Sequence, residues 1–190
     1  MKCHKPSELI QDANESLQLL KEGNERYLKG ELNDKSSYTE DREVLCTSQK
    51  PFAVIVTCSD SRVAPEIFFD QKLGDIFIIR NAGNVVDSTT LGSIEYAVEH
   101  LKSPLVVVCG HSKCGAVTAA CSGGELPPNI KSITDRIQPA VEKGGDVDAV
   151  IHQNVEVMVD TVKADETIQH LNITVVGAYY DIHTGVVEWL

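Results

Sequence analysis

No apolar run in this 190-residue chain exceeds six or seven residues, far short of the ~20 that a membrane-spanning helix needs. The opening Met1-Lys-Cys-His-Lys-Pro-Ser7 carries none of the apolar core of a secretion signal, so a cytoplasmic location is expected. In a reducing compartment the six cysteines are expected as thiols or metal ligands before disulfides. Positive charge is also scarce, with 17 Lys plus Arg against 28 Asp plus Glu and a formal charge of -11. No Lys/Arg stripe with interleaved aromatics is present, and so acidic a chain repels phosphate backbones. Neither nucleic acid nor membrane is an expected partner. Internal repeats, low-complexity tracts and domain linkers are missing too. What is present, 42% apolar residues in an ordinary domain length, suffices for one core, and one domain over residues 1–190 is expected.

Residues 7–29 place Leu9, Ile10, Ala13, Leu17, Leu20, Tyr27 and Leu28 at helical spacing with a polar opposite face. This predicts an amphipathic helix, lying either on its own core or as an arm across a partner. With a second helix from Thr39, as N-cap, to about Ser48, residues 1–48 form an N-terminal helical arm. Strands then alternate with helices: strand 52–57, a short helix from Pro65 to about Phe69, strand 75–80, a helix capped by Ser88 to about Leu101, strand 105–109, and a helix from about Lys113 to Cys121. Helices near 129–142 and 146–163 follow, and the segments 173–180 and 186–190 read as an edge hairpin. The expected fold is α/β, with a mainly parallel central sheet flanked by helices.

Two clusters carry chemistry. Cys58-Ser-Asp60-Ser-Arg62 follows one β-branched run and His111-Ser-Lys-Cys114 follows another. In an α/β protein the carboxyl ends of parallel strands are where ligand sites collect. Two thiols and an imidazole suit Zn²⁺, with one position left open for chemistry. His111 and Cys114 can chelate from one strand-to-helix turn, with Cys58 arriving from the neighbouring strand. Two thiolates make a weaker Lewis acid than three histidines, yet water bound in catalytic zinc sites is acidified to a pKa of ~7, enough to supply hydroxide near neutrality. A carboxylate at Asp60 could then accept the one proton of the bound hydroxide in a hydrogen bond and aim its lone pair at substrate, with Arg62 holding that carboxylate by a rigid fork of donors. Were Arg62 to let go, Asp60 could become a fourth ligand and shut the site.

The pattern Cys-x-Asp-x-Arg, then His-x-x-Cys about fifty residues later, resembles the β-class carbonic anhydrases, most strongly from Gln49 to Ala116. The resemblance implies zinc ligation by Cys58, His111 and Cys114, and a catalytic dyad of Asp60 and Arg62. It also implies interconversion of CO2 and bicarbonate by a homodimer or homotetramer with sites near the dimer interface. By the same resemblance Gln49 donates a hydrogen bond to substrate, Phe77 and Tyr96 wall the CO2 pocket, and the backbone N–H of Gly115 faces substrate. Bicarbonate-inhibited members carry tryptophan three before the first cysteine, where this chain has Ile55, although Arg80 matches an arginine of their inhibitory pocket. The departure implies an open, water-bound zinc at neutral pH.

Three alternatives compete. A cysteine-nucleophile phosphatase would place its arginine six after the cysteine, whereas Arg62 is four after. A related zinc hydrolase would act on carbon disulfide or carbonyl sulfide with the same ligands. A non-catalytic zinc-binding protein would have no use for Asp60 and Arg62. Cys109 reads as a core residue, and Cys3, Cys46 and Cys121 as structural or incidental thiols.

Overall fold

The computed structural model describes residues 10–36 and 38–190. Its N-terminal part holds helices α1 (Ala13–Lys29) and α2 (Tyr38–Leu45), followed by strand β1 (Ala53–Cys58), the short helix α3 (Pro65–Phe68) and strand β2 (Ile76–Asn81). A 3-10 turn (Ala82–Asn84) leads into helix α4 (Ser88–Glu99) and strand β3 (Leu105–His111). Helices α5 (Gly115–Ser122), α6 (Pro128–Val141), α7 (Val147–Lys163) and α8 (Glu166–His170) precede strands β4 (Thr174–Tyr180) and β5 (Val187–Trp189). No helix among the described residues is long and apolar enough to cross a membrane.

Among the described residues the five strands form one sheet in the order β2-β1-β3-β4-β5. The first four run parallel and β5 pairs antiparallel with β4 at the edge, as the expected α/β architecture with an edge hairpin requires. β1 and β3 are buried along their whole length, which is why they read as continuous β-branched runs rather than as alternating ones. Side-chain alternation sends Val54, Val56, Val106 and Val108 into a core with α4, α5, α6, α7 and α8. It sends Ala53, Ile55, Leu105 and Val107 into a second core beneath α1 and α3. The chain leaves β1 toward β2 on one side and then crosses to β3 on the other. The carboxyl ends of β1 and β3 therefore flank the topological switch point, where such sheets open a crevice.

α1 lies on its own protein's core. Leu20 is fully buried, and the buried Asn24 donates to the carbonyls of Phe68 and Gly185 and accepts from the Val187 N–H. The helix begins at Ala13, because the Asp12 carboxylate accepts from Asn14 and Glu15 N–H and caps it there. Residues 7–9 of the expected helix, Leu9 included, lie outside the described residues. α2 has no buried residue and starts at Tyr38, which puts Thr39 inside the helix rather than at its cap. The cap of α4 is Asp87, whose carboxylate accepts from the Thr90 N–H at 2.8 Å, and Ser88 is the first helical residue. An ionised acceptor at a helix amino end outperforms a hydroxyl because it also meets the helix dipole. The short α8, capped by Asp165, has too few residues to show periodicity and was not expected.

The buried Asp70 carboxylate anchors the segment between α1 and α2. It receives Arg26 at 2.6 Å, Lys35 at 2.5 Å and the backbone and side-chain N–H groups of Asn33. Burial pushes this carboxyl up, but the bonds from Lys35, Arg26 and Asn33 outweigh it and hold Asp70 below its ordinary value. A depressed folded-state pKa contributes stability above the unfolded value of 3.8, and that contribution is lost as pH falls below it. Asp70→Ala leaves two half-desolvated cations without their anion and is expected to cost about 3 kcal/mol at neutral pH. In urea melts at pH 7 and pH 3 the difference from the unsubstituted protein should be large at pH 7 and shrink at pH 3. Equal melts at pH 7 would refute the anchor.

Candidate metal centre

Cys58 ends β1 and His111 ends β3, so strands one hydrogen-bonded position apart carry them to the same level of the sheet. β3 continues two residues beyond the expected end, and His111 is its last member rather than part of a loop. Lys113 then adopts φ 57°, in the left-handed region, so α5 cannot start there and begins at Gly115 instead. That single reversed residue turns Cys114 back beside His111. The two sulfurs and an imidazole nitrogen all lie within 4.8 Å of one another, and all three residues are buried.

This donor set fits a zinc ion. In tetrahedral coordination with Zn–S near 2.3 Å, neighbouring donors stand roughly 3.8 Å apart, a spacing the cluster reaches by a small inward shift. His111 Nδ1 lies 2.9 Å from the Ser112 carbonyl, an acceptor, which assigns the ring proton to Nδ1. Its Nε2 is buried with no hydrogen-bond partner, the state expected of an imidazole nitrogen whose lone pair is reserved for a cation. A hydrogen bond with Cys114 is the largest influence on Cys58 and pushes its thiol down, with help from His111 and the Gly83 N–H. The same bond pushes the Cys114 thiol up, although the N–H groups of Ala116 and Val117 at the α5 amino end favour its thiolate. A divalent cation removes this competition, since both sulfurs can then be ionised.

Asp60 does not belong to the three-donor cluster. Its carboxylate takes both forks of Arg62, from Nε at 2.9 Å and Nη2 at 2.7 Å, and the Arg62 backbone N–H at 3.0 Å. These bonds hold Asp60 well below the usual carboxylate range and strengthen the hold of Arg62 on its proton. Arg80 reaches across from β2, donating from Nε to the Cys58 carbonyl at 3.0 Å and from Nη2 to the Asp60 carbonyl at 2.7 Å. The guanidinium thus ties down the Cys58–Asp60 turn. Ile55, three residues before Cys58, is fully buried beneath the sheet.

The expected pocket residues divide. Gly115 stands at the site, next to Cys114, and a β-carbon there would meet no atom within 4 Å. Its small size is therefore not a packing requirement. Gln49, Phe77 and Tyr96 are not brought to Cys58 within one chain. Phe77 pairs with Val54 while Cys58 pairs with Asn81, four residues along the strand or about 13 Å away. The Phe77 and Tyr96 rings lie 6.3 Å apart. Gln49 and Tyr96 line a cavity of about 840 Å³ with Thr47, Ser48 and His100, at the amino ends of the strands.

Cys109 is the expected core thiol, with burial pushing it up to about 12. Cys46 is exposed, Cys121 is half-buried, and Cys3 lies outside the described residues. Gly83 does not stand out in the sequence, where Arg80 to Asn84 reads only as a turn. Its N–H donates to the Cys58 sulfur at 3.3 Å. A glycine one turn past a strand that ends beside a candidate ligand was the available signal.

The carbonic anhydrase family profile matches residues 53–187. The chain is 43% identical over 180 residues to carbonic anhydrase 2 of Mycobacterium tuberculosis, covering 87% of each. It is 49% identical over 129 residues to a carbonic anhydrase of Mycolicibacterium smegmatis, covering 66% of this chain and 63% of that one. Among solved structures, the β-carbonic anhydrase of Coccomyxa in complex with acetazolamide superimposes with a TM-score of 0.73 at 27% identity, covering 95% of this chain and 87% of that one. A tetrameric β-carbonic anhydrase of Sordaria macrospora shares the fold with a TM-score of 0.74 at 24% identity, covering 93% and 97%. The chain belongs to the carbonic anhydrase family, in its β class. It is an enzyme, a carbonate dehydratase that interconverts CO2 and bicarbonate.

Proposed function

We propose that this hydration depends on a zinc ion held by Cys58 Sγ, His111 Nε2 and Cys114 Sγ. The observation that carries the reading is a buried imidazole within 4.8 Å of two sulfurs, whose Nε2 has no hydrogen-bond partner. When bound, zinc acidifies a water and so supplies hydroxide near neutral pH, although the reference pKa of about 7 belongs to a three-histidine carbonic anhydrase site and two thiolates make a weaker Lewis acid.

The chain's own groups do the rest. Asp60, ionised and fixed by Arg62, would accept a hydrogen bond from the attacking hydroxide, which keeps its hydrogen, and so turn the oxygen's lone pair toward the carbon of CO2 to give bicarbonate. Arg62 engages both carboxylate oxygens, so Asp60 would not be free to take a fourth ligand position, which supports an open rather than a closed site. The Gly115 N–H, at the amino end of α5, would face substrate oxygen, and the space where a side chain would start is open.

Gln49, Phe77 and Tyr96 lie too far from Cys58 in one chain to line its pocket. We infer that they serve the site of a second copy, which makes the protein a homo-oligomer, dimer or tetramer, with its sites near the dimer interface. Residues 1–190 act as one domain, a reading supported by two cores sharing one sheet. Free thiols at all five described cysteines, two of them proposed ligands, favour a reducing compartment such as the cytoplasm.

The test is stopped-flow CO2 hydration and metal analysis on one sample. About one zinc per chain is expected, with activity lost on zinc removal and restored by zinc alone. A metal-free preparation that is fully active would overturn the proposal.

A further inference from the structure

α7 lies on the far side of the sheet's larger core and contributes no ligand, yet it touches the turn that faces the metal site. Asn154, at 1% exposure, donates from Nδ2 to the Gly83 carbonyl at 3.0 Å. The Gly83 N–H in turn donates to Cys58 Sγ at 3.3 Å. One helical turn later Met158 accepts the Val86 N–H at 3.1 Å, so residues four apart on one helix face grip the turn at Gly83 and the segment that leaves it at Val86. Gly83 is confined from the other directions as well. Its φ is 75°, and a β-carbon would stand 2.9 Å from Ile137 Cδ1 of α6 and 3.0 Å from Ala116 Cβ of α5.

We propose that Asn154 is a positioning residue for the metal centre: by holding the Gly83 carbonyl it aims the Gly83 N–H at the Cys58 sulfur. This inference rests on the zinc reading above. A hydrogen bond to a ligating thiolate draws electron density from sulfur and fixes the direction of its lone pairs, as outer-shell partners do in other metal sites. An amide is required because the buried Gly83 carbonyl needs a donor. A leucine of similar volume would fill the space and leave that carbonyl unpaired, freeing the turn to rotate its N–H off the sulfur.

The experiment compares the unsubstituted protein with Asn154→Leu and Asn154→Ala. Zinc affinity is measured by competition with a chelator, Tm is recorded for zinc-loaded and zinc-stripped forms, and the sulfur-to-metal charge-transfer band is recorded after cobalt substitution. Both variants should load one metal per chain but hold zinc about 10- to 100-fold more weakly. Their charge-transfer band should shift, and their Tm should fall further in the zinc-loaded than in the zinc-stripped form. Unchanged affinity and band, or an equal loss of Tm in both forms, would assign Asn154 a purely structural role and overturn the proposal. If the leucine variant does not fold, the smaller alanine decides by the same readouts. An unsubstituted protein that binds no zinc overturns the zinc reading itself. One that binds zinc no more tightly than its variants overturns the relay alone.

Discussion

Asp60→Asn should lower the rate of CO2 hydration about 100-fold or more while zinc stays bound. The variant keeps the size of the side chain and loses its charge, so Arg62 no longer has an anion to grip with Nε and Nη2. An amide can accept only through one oxygen, and it must turn its NH2 away from the guanidinium. The group facing the attacking oxygen is then a donor where an acceptor is needed. Misplacing a reacting group by about 1 Å can cost about 100-fold, which sets the scale of the loss. Because Asp60 lies outside the donor cluster, metal content should stay near one per chain. Stopped-flow rates alongside metal analysis check both halves, and an active variant would remove the Asp60–Arg62 pair from the chemistry.

Cys114→Ala has the larger structural consequence. Of the three donors, Cys114 and His111 share one turn, so metal captured by one is immediately within reach of the other. Deleting the sulfur removes that chelation and one of the two negative charges offsetting the cation. If zinc binding is worth ~12 kcal/mol over four coordination positions, one lost position is about 3 kcal/mol, more than 100-fold in affinity. The purified variant should therefore lose its zinc on dialysis against a weak chelator, lose hydration activity, and lose the rise in Tm that zinc confers on the parent. Full zinc occupancy after dialysis would show that Cys114 is not a ligand.

Much of this protein is legible from local chemistry. β1 and β3 stand out because strands covered on both faces have no solvent-facing positions, so apolar residues run on with little interruption. The end of β3 and the turn after it hold the proposed ligand pair His111 and Cys114 at a spacing few other functions would produce. Boundaries were less legible. β3 runs on to His111 because Gly110 and His111 still find partners in Tyr179 and Tyr180, strand neighbours far away in sequence. α5 starts late because Lys113 takes a left-handed conformation that lysine does not signal. Nothing in the local sequence marks the amide of Asn154 as different from any other polar position of α7 until its partner, the Gly83 carbonyl, is seen 3.0 Å away.

The amino-acid sequence alone determined the kind of chemistry: which donors are available, what metal they suit, and which carboxylate and guanidinium accompany them. These are properties of side chains and short spacings, and they survive without a fold. Only the tertiary structure decided which groups meet. It brought Cys58 to His111 across fifty residues, separated Gln49, Phe77 and Tyr96 from them by a strand's length, and aimed the N–H of Gly83 at the Cys58 sulfur. Those relations depend on strand order and helix packing, which arise from burying two apolar faces of one sheet at once, and no short stretch of chain encodes that.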